Sequence, residues 1–130
     1  MPTGSYLFLG GPFISCSTVE RRPYHATTPA GLRRCARRDW RSTPASYNIT
    51  VDNVELTPPG FLVASPIFHF TISANSRHGV RRRIHGRGAA YGYATLLRPL
   101  SPGTHTVTVA DHSSGLPIPS HRFTFEVTVR

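Results

Sequence analysis

Lysine is absent from this chain of 130 residues, and carboxylates are few: Glu20, Asp39, Asp52, Glu55, Asp111 and Glu126. Each scarcity narrows what the chain can do. Hydrolysis of a glycosidic bond needs two acids placed across the bond, and the nearest pair, Asp52 and Glu55, flanks a turn, where solvated turn chemistry explains both. Gly-x-Ser-x-Gly is missing, so the strained strand-to-helix elbow that exposes a nucleophilic serine is not encoded. No apolar run reaches the roughly 18 residues a membrane-spanning helix needs. Cysteine occurs twice, at Cys16 and Cys35, with tryptophan and methionine once each.

Positive charge and chain-breaking residues are abundant. All fifteen basic residues are arginines, for a net charge of +9, and there are twelve prolines and eleven glycines. A charge of this size attracts nucleic acid, acidic glycans and anionic envelope surfaces. The complete replacement of lysine by arginine also fits a GC-rich coding bias, which would account for part of the charge without selection for phosphate contact. Frequent turns and few long helices follow from the proline and glycine content, and the length suits a single domain.

Period-two patterns dominate. The N-terminal stretch lacks a charged leader region and a small-residue cleavage site. Its apolar runs, 6–9 and 13–14, read instead as one bent strand or two short ones. Tyr47, Ile49 and Val51 alternate, then Asp52-Asn53 supplies residues that tolerate positive φ in a tight turn. Residues 61–72 form a long β-like run interrupted by Pro66, with Phe68, Phe70 and Ile72 on one face. Pro99 ends a strand over 91–97, and Ser101-Pro-Gly-Thr104 forms a β-turn into an alternating strand carrying His105, Val107 and Val109. The last strand, 121–129, is expected to point Phe123, Phe125, Val127 and Val129 inward. One helix is expected over 29–39, capped by Thr28 with Pro29 at its first position. Leu32, Cys35, Ala36 and Asp39 fall at i, i+3, i+4 and i+7, so Leu32, Cys35 and Ala36 share a face. The fold class is therefore all-β: a two-sheet sandwich, immunoglobulin-like or jelly-roll-like, with one short α-helix.

The arginines on the helix (Arg33, Arg34, Arg37, Arg38 and Arg41) are read as a solvated face. The candidate polyanion-binding set is Arg77, Arg81, Arg82, Arg83 and Arg87 on a long glycine-containing loop over 75–90, with Tyr91 and Tyr93 beyond it. Arginine beside aromatics holds phosphate and stacks bases. Seven histidines (25, 69, 78, 85, 105, 112 and 121) match no compact ligand spacing, so no metal or cofactor is expected. Asn48-Ile-Thr50 spells a glycosylation sequon but lies inside an expected strand. Cys16 and Cys35 read either as a disulfide, and then as a mark of an oxidising compartment, or as two separate buried thiols. No catalytic constellation emerges. The functional expectation is a non-enzymatic binding or adhesion module of unknown ligand, with polyanion binding through 77–87 as the alternative.

The segments "YLFLGGPFISCSTVE", "TPAGLRRCA", "YNITVDNVEL", "FLVASPIFHFTI", "YATLLRPLSPGTHTVTV" and "FTFEVTV" occur in the order seen in a group of uncharacterised bacterial exported proteins, which the chain resembles over nearly its whole length. The Ser-Pro-Gly-Thr-His-Thr hairpin is the most specific piece. The resemblance implies a secreted, periplasmic or cell-surface β-sandwich with a Cys16–Cys35 bridge, and it carries over no established activity. Against that pattern this chain reads as truncated at its N-terminus. Its turn is Val-Asp-Asn instead of Val-Asp-Gly, and its 75–90 segment is richer in arginine.

Overall fold

The computed structural model describes residues 1–42, 45–57, 60–74, 81–113 and 120–130. Among the described residues the chain is all-β with one helix: β1 (Leu7–Ser17), α1 (Pro29–Arg41), β2 (Ala45–Val51), β3 (Val54–Glu55), β4 (Phe61–Ala64), β5 (Phe68–Ile72), β6 (Ile84–Leu97), β7 (Gly103–Ser113) and β8 (His121–Val129). Two antiparallel sheets result. One has the order β1-β6-β4, with β5 also paired to β6; the other runs β3-β2-β7-β8. No helix among the described residues is long and apolar enough to cross a membrane.

The contacts divide the chain into two compact units, and β1 and β6 contribute residues to both. The first unit holds Met1–Pro12, Thr43–Val63 and Tyr93–Arg130. It is the sandwich. Leu9 and Leu97 from one sheet meet Tyr47, Ile49, Val107 and Val109 from the other in a single buried cluster. The alternating residues of β2 and β7 supply the inward side, since successive strand residues point to opposite faces. Tyr47 stacks on Tyr93 at 5.4 Å between ring centroids. A Cβ on Gly11 would lie 2.8 Å from the Tyr47 ring, so that close approach requires glycine. The turn joining β2 to β3 places Asp52 at φ 51° and Asn53 at φ 66°, both left-handed as the Asp-Asn pair predicts and as two-residue hairpins require.

The second unit holds Phe13–Ser42 and Ala64–Gly92. Here α1 lays Leu32, Cys35 and Ala36 against Cys16 and Ala89, flanked by Tyr24, Ile67 and Tyr91. Cys16 and Cys35 form a disulfide, with their Cα atoms 6.1 Å apart. Thr28 caps the helix: its hydroxyl accepts from the Gly31 N–H at 3.1 Å.

Two expectations are corrected. The 75–90 loop is strand from Ile84 onward, because β6 pairs with β5 in the register Phe68↔Gly88 through Ile72↔Ile84. Gly86 and Gly88 look like loop residues in sequence, yet they are what this pairing demands. A Cβ at Gly86 would stand 2.6 Å from the Phe70 ring, and one at Gly88 would stand 2.7 Å from Phe68. The second correction concerns β8. Phe123 and Phe125 lie opposite Val109 and Val107, but remain 60% and 36% exposed, and only Val129 is fully buried, at 3%. β8 is an edge strand, and the apolar cluster, built from β1, β2, β6 and β7, does not reach its first half.

Candidate functional site

Among the described residues, α1 carries the longest run of exposed charge. Its inner positions are buried, so the five arginines occupy the remaining arc: Arg33, Arg37 and Arg41 in one row, Arg34 and Arg38 in the next, spaced at i, i+4. Neighbours at this spacing lie about 5–6 Å apart, and like charges there destabilise a helix by about 0.2–0.5 kcal/mol per pair. No acid stands in the first turn. The only carboxylate on the helix, Asp39, is buried; it takes the Arg38 Nε at 2.6 Å and sets its other oxygen 3.8 and 3.9 Å from the two disulfide sulfurs. Arg38 also donates to the Pro23 carbonyl at 2.9 Å. Arg37 lies over the Tyr91 ring, 5.4 Å from its centroid, and Tyr91 meets Trp40 edge-on. Two guanidinium groups are thus held in place, while the macrodipole favours Arg38 and Arg41 at the C-terminal end. Arg33, Arg34, Arg37, Arg38, Arg41 and Ser42 line an open trough of about 720 Å³.

The sequence-based candidates fall elsewhere. Arg81, Arg82 and Arg83 are exposed just ahead of β6. Arg87 is a β6 residue; its Nη2 donates to the Thr27 carbonyl at 3.1 Å and its N–H to the Thr18 hydroxyl at 3.1 Å. Arg77 and His78 lie outside the described residues. Among the described residues, the anticipated arginine set is therefore a short exposed run, Arg81–Arg83, followed by a strand residue, Arg87, already engaged with its neighbours. On β5 and the end of β1, Ser15, Ser17, Phe68, Phe70 and Ile72 line a groove of about 550 Å³. It is a mixed apolar and hydroxyl surface without a cluster of charge.

One arrangement looks like a catalytic triad: Ser101, His105 and Asp52. The His105 Nδ1 lies 2.7 Å from Asp52 Oδ2. Its Nε2, however, lies 2.9 Å from the Ser101 carbonyl and 3.4 Å from the Ser101 hydroxyl. Two acceptors face the two ring nitrogens, and only the doubly protonated imidazolium satisfies both. A ring that donates from both nitrogens cannot take a proton from serine. The trio is a clamp: Asp52, in the β2–β3 turn, also accepts from the Thr106 N–H at 2.8 Å, tying that turn to the start of β7.

The clamp makes a pH prediction. The hydrogen bond to Asp52, then the Ser101 carbonyl, raise the His105 pKa above its ordinary 6.5. The hydrogen bond from His105, then the Thr106 N–H, lower the Asp52 pKa below 3.8. The histidine's contribution to stability is complete below pH 6.5 and is lost as pH rises through the raised folded value. The aspartate's is complete above 3.8 and is lost as pH falls through its lowered value. NMR titration should find the His105 midpoint above 6.5, and Asp52→Asn should return it toward 6.5; equal midpoints in the two proteins would rule the clamp out.

Among the described residues, Cys16, Cys35 and Asp39 group as possible metal ligands. The bond between Cys16 and Cys35 occupies the two sulfurs that would otherwise bind as thiolates. His69 and His85 share a shallow hollow with Thr18, Thr27 and Arg87, and His85 Nδ1 lies 3.0 Å from the Thr71 hydroxyl.

Fold and surface together define the class: a disulfide-bearing, all-β two-sheet sandwich with an arginine-faced helix. No family model, curated protein or solved structure matches the chain.

Proposed function

We propose that this protein is a non-enzymatic exported binding module whose ligand is a polyanion, an acidic glycan or a nucleic acid strand, held at the arginine face of α1. The carrying observation is the uncompensated charge of that helix: four of its five arginines, Arg33, Arg34, Arg37 and Arg41, face no carboxylate in any ion pair among the described residues. A helix destabilised by its own charges gains stability when phosphate, sulfate or carboxylate groups settle between the rows. Arg37, positioned on Tyr91, is set to begin that contact. Arg81, Arg82 and Arg83 add to the attractive field. The disulfide fits a secreted, periplasmic or cell-surface setting.

Binding to heparin and to single-stranded DNA across a salt series tests the reading. Replacing Arg33, Arg34, Arg37 and Arg41 by Ser should abolish most of the affinity. It should also flatten the slope of log K against log salt for the DNA by about 0.7 per lost phosphate contact. An Arg81/Arg82/Arg83→Ser variant should lose far less. Wild-type affinity in the helix variant sinks the proposal, and loss in the Arg81–Arg83 variant alone moves the site to that segment.

A further inference from the structure

β8 lies at the end of its sheet. Among the described residues, β8 pairs with β7 along one side. On its other side the last residues are already taken: the Thr3 N–H donates to the Arg130 carbonyl at 2.8 Å, the Arg130 N–H donates to the Met1 carbonyl at 3.0 Å, and the Met1 ammonium donates to the Thr128 carbonyl. The backbone groups of residues 128 and 130 therefore point away from β7. By strand alternation those of Arg122, Thr124 and Glu126 do the same. The open stretch is 121–127, and its midpoint is Thr124.

That stretch is self-complementary about its midpoint. Arg122 and Glu126 stand two residues either side of Thr124, both exposed on the outward face; Phe123 and Phe125 stand one residue either side, on the opposite face. Within the chain, Arg122 lies opposite Ala110 and Glu126 opposite Thr106, so neither charge has an opposite charge facing it across the β7–β8 ladder. Natural edge strands discourage pairing with proline, lysine or a bulge, and none interrupts 121–127.

We propose that a second copy of the chain adds its own β8 antiparallel to this edge, on a two-fold axis through Thr124. Arg122 then faces the partner's Glu126 and Glu126 the partner's Arg122, while Thr124 meets its own copy in a hydrogen-bonded pair. Phe123 and Phe125 of the two copies meet as the closer, non-hydrogen-bonded pairs on the other face. The two sheets become one continuous sheet through an isologous contact, and the phenyl rings that the sandwich leaves exposed are covered.

Charge reversal tests the register. The full-length protein should sediment as a dimer with a concentration-dependent mass. Arg122→Glu and Glu126→Arg should each raise the dissociation constant about tenfold, because two cross-strand contacts change from attraction to repulsion. Arg122→Glu lowers the net charge, so general self-repulsion alone would strengthen association, the opposite result. The double variant R122E/E126R should restore the wild-type constant, and mixing the two single variants should yield a heterodimer. Because both side chains are exposed, folding should survive, as circular dichroism would verify. Hydrogen exchange of the unmodified protein provides an independent readout: the amides of Arg122, Thr124 and Glu126 should gain protection with concentration, those of Phe123 and Phe125 should not. A wild-type monomer at every soluble concentration, exchange that ignores concentration, or single variants that associate no better mixed than alone overturns the proposal.

Discussion

Replacing Cys16 and Cys35 together by alanine should lower the unfolding free energy by about 3 kcal/mol, the value expected when a loop of this size is no longer closed in the unfolded chain. The disulfide sits in the worst place to lose. Cys16 is fully buried and Cys35 nearly so, within the cluster that fastens α1 to β1 and β6. Opening it frees the 10 residues between β1 and the helix cap, a polar, irregular segment with little apolar surface of its own. Urea unfolding with and without reductant measures the effect. Matching midpoints would mean that the apolar contacts of Leu32, Ala36 and Ala89 hold the helix unaided.

The second large effect belongs to Ile49. It is completely buried in the sandwich cluster, and Ile49→Ala should cost about 2–5 kcal/mol, the lost transfer energy plus the cavity left behind. Phe123→Ala removes a larger side chain, yet Phe123 is 60% exposed, and its loss should cost well under half as much in the isolated chain. Thermal melts at low protein concentration, where self-association does not contribute, give the comparison. Equal losses would show that the first half of β8 is covered after all.

These two sites also show what can be read from the chain. Ile49 lies in a strand whose alternation, Tyr47-Ile49-Val51, is closed by Asp52-Asn53, and pattern and turn chemistry agree there. The helix was equally legible, because Thr28, Pro29 and the Leu32–Cys35–Ala36 spacing all specify one start and one inner face. Phe123 and Phe125 misled because alternation identifies a face, not whether another layer covers it; position in the sheet decides that, and position is non-local. The start of β6 was hidden for another reason. Gly86 and Gly88 weaken any local strand signal, and their purpose appears only when Phe70 and Phe68 are placed opposite. The arginines of α1 were visible as residues. What sequence alone did not reveal was that Asp39 is buried against Arg38 and the disulfide, so that among the described residues the other four face no carboxylate in an ion pair.

The packing of Phe68 on Gly88 and of Phe70 on Gly86 has an evolutionary corollary. Each ring occupies the space its partner's side chain would need, so neither member of a pair can change freely. A side chain gained at 86 or 88 must be matched by volume lost at 70 or 68. In any lineage that keeps this strand pair, positions 68 with 88 and 70 with 86 should covary as two linked couplets, an aromatic beside a glycine or a small residue beside a larger one. Two spaced glycines facing two spaced aromatics, each pair held by direct contact, are therefore expected to be a durable mark of descent for this strand pair.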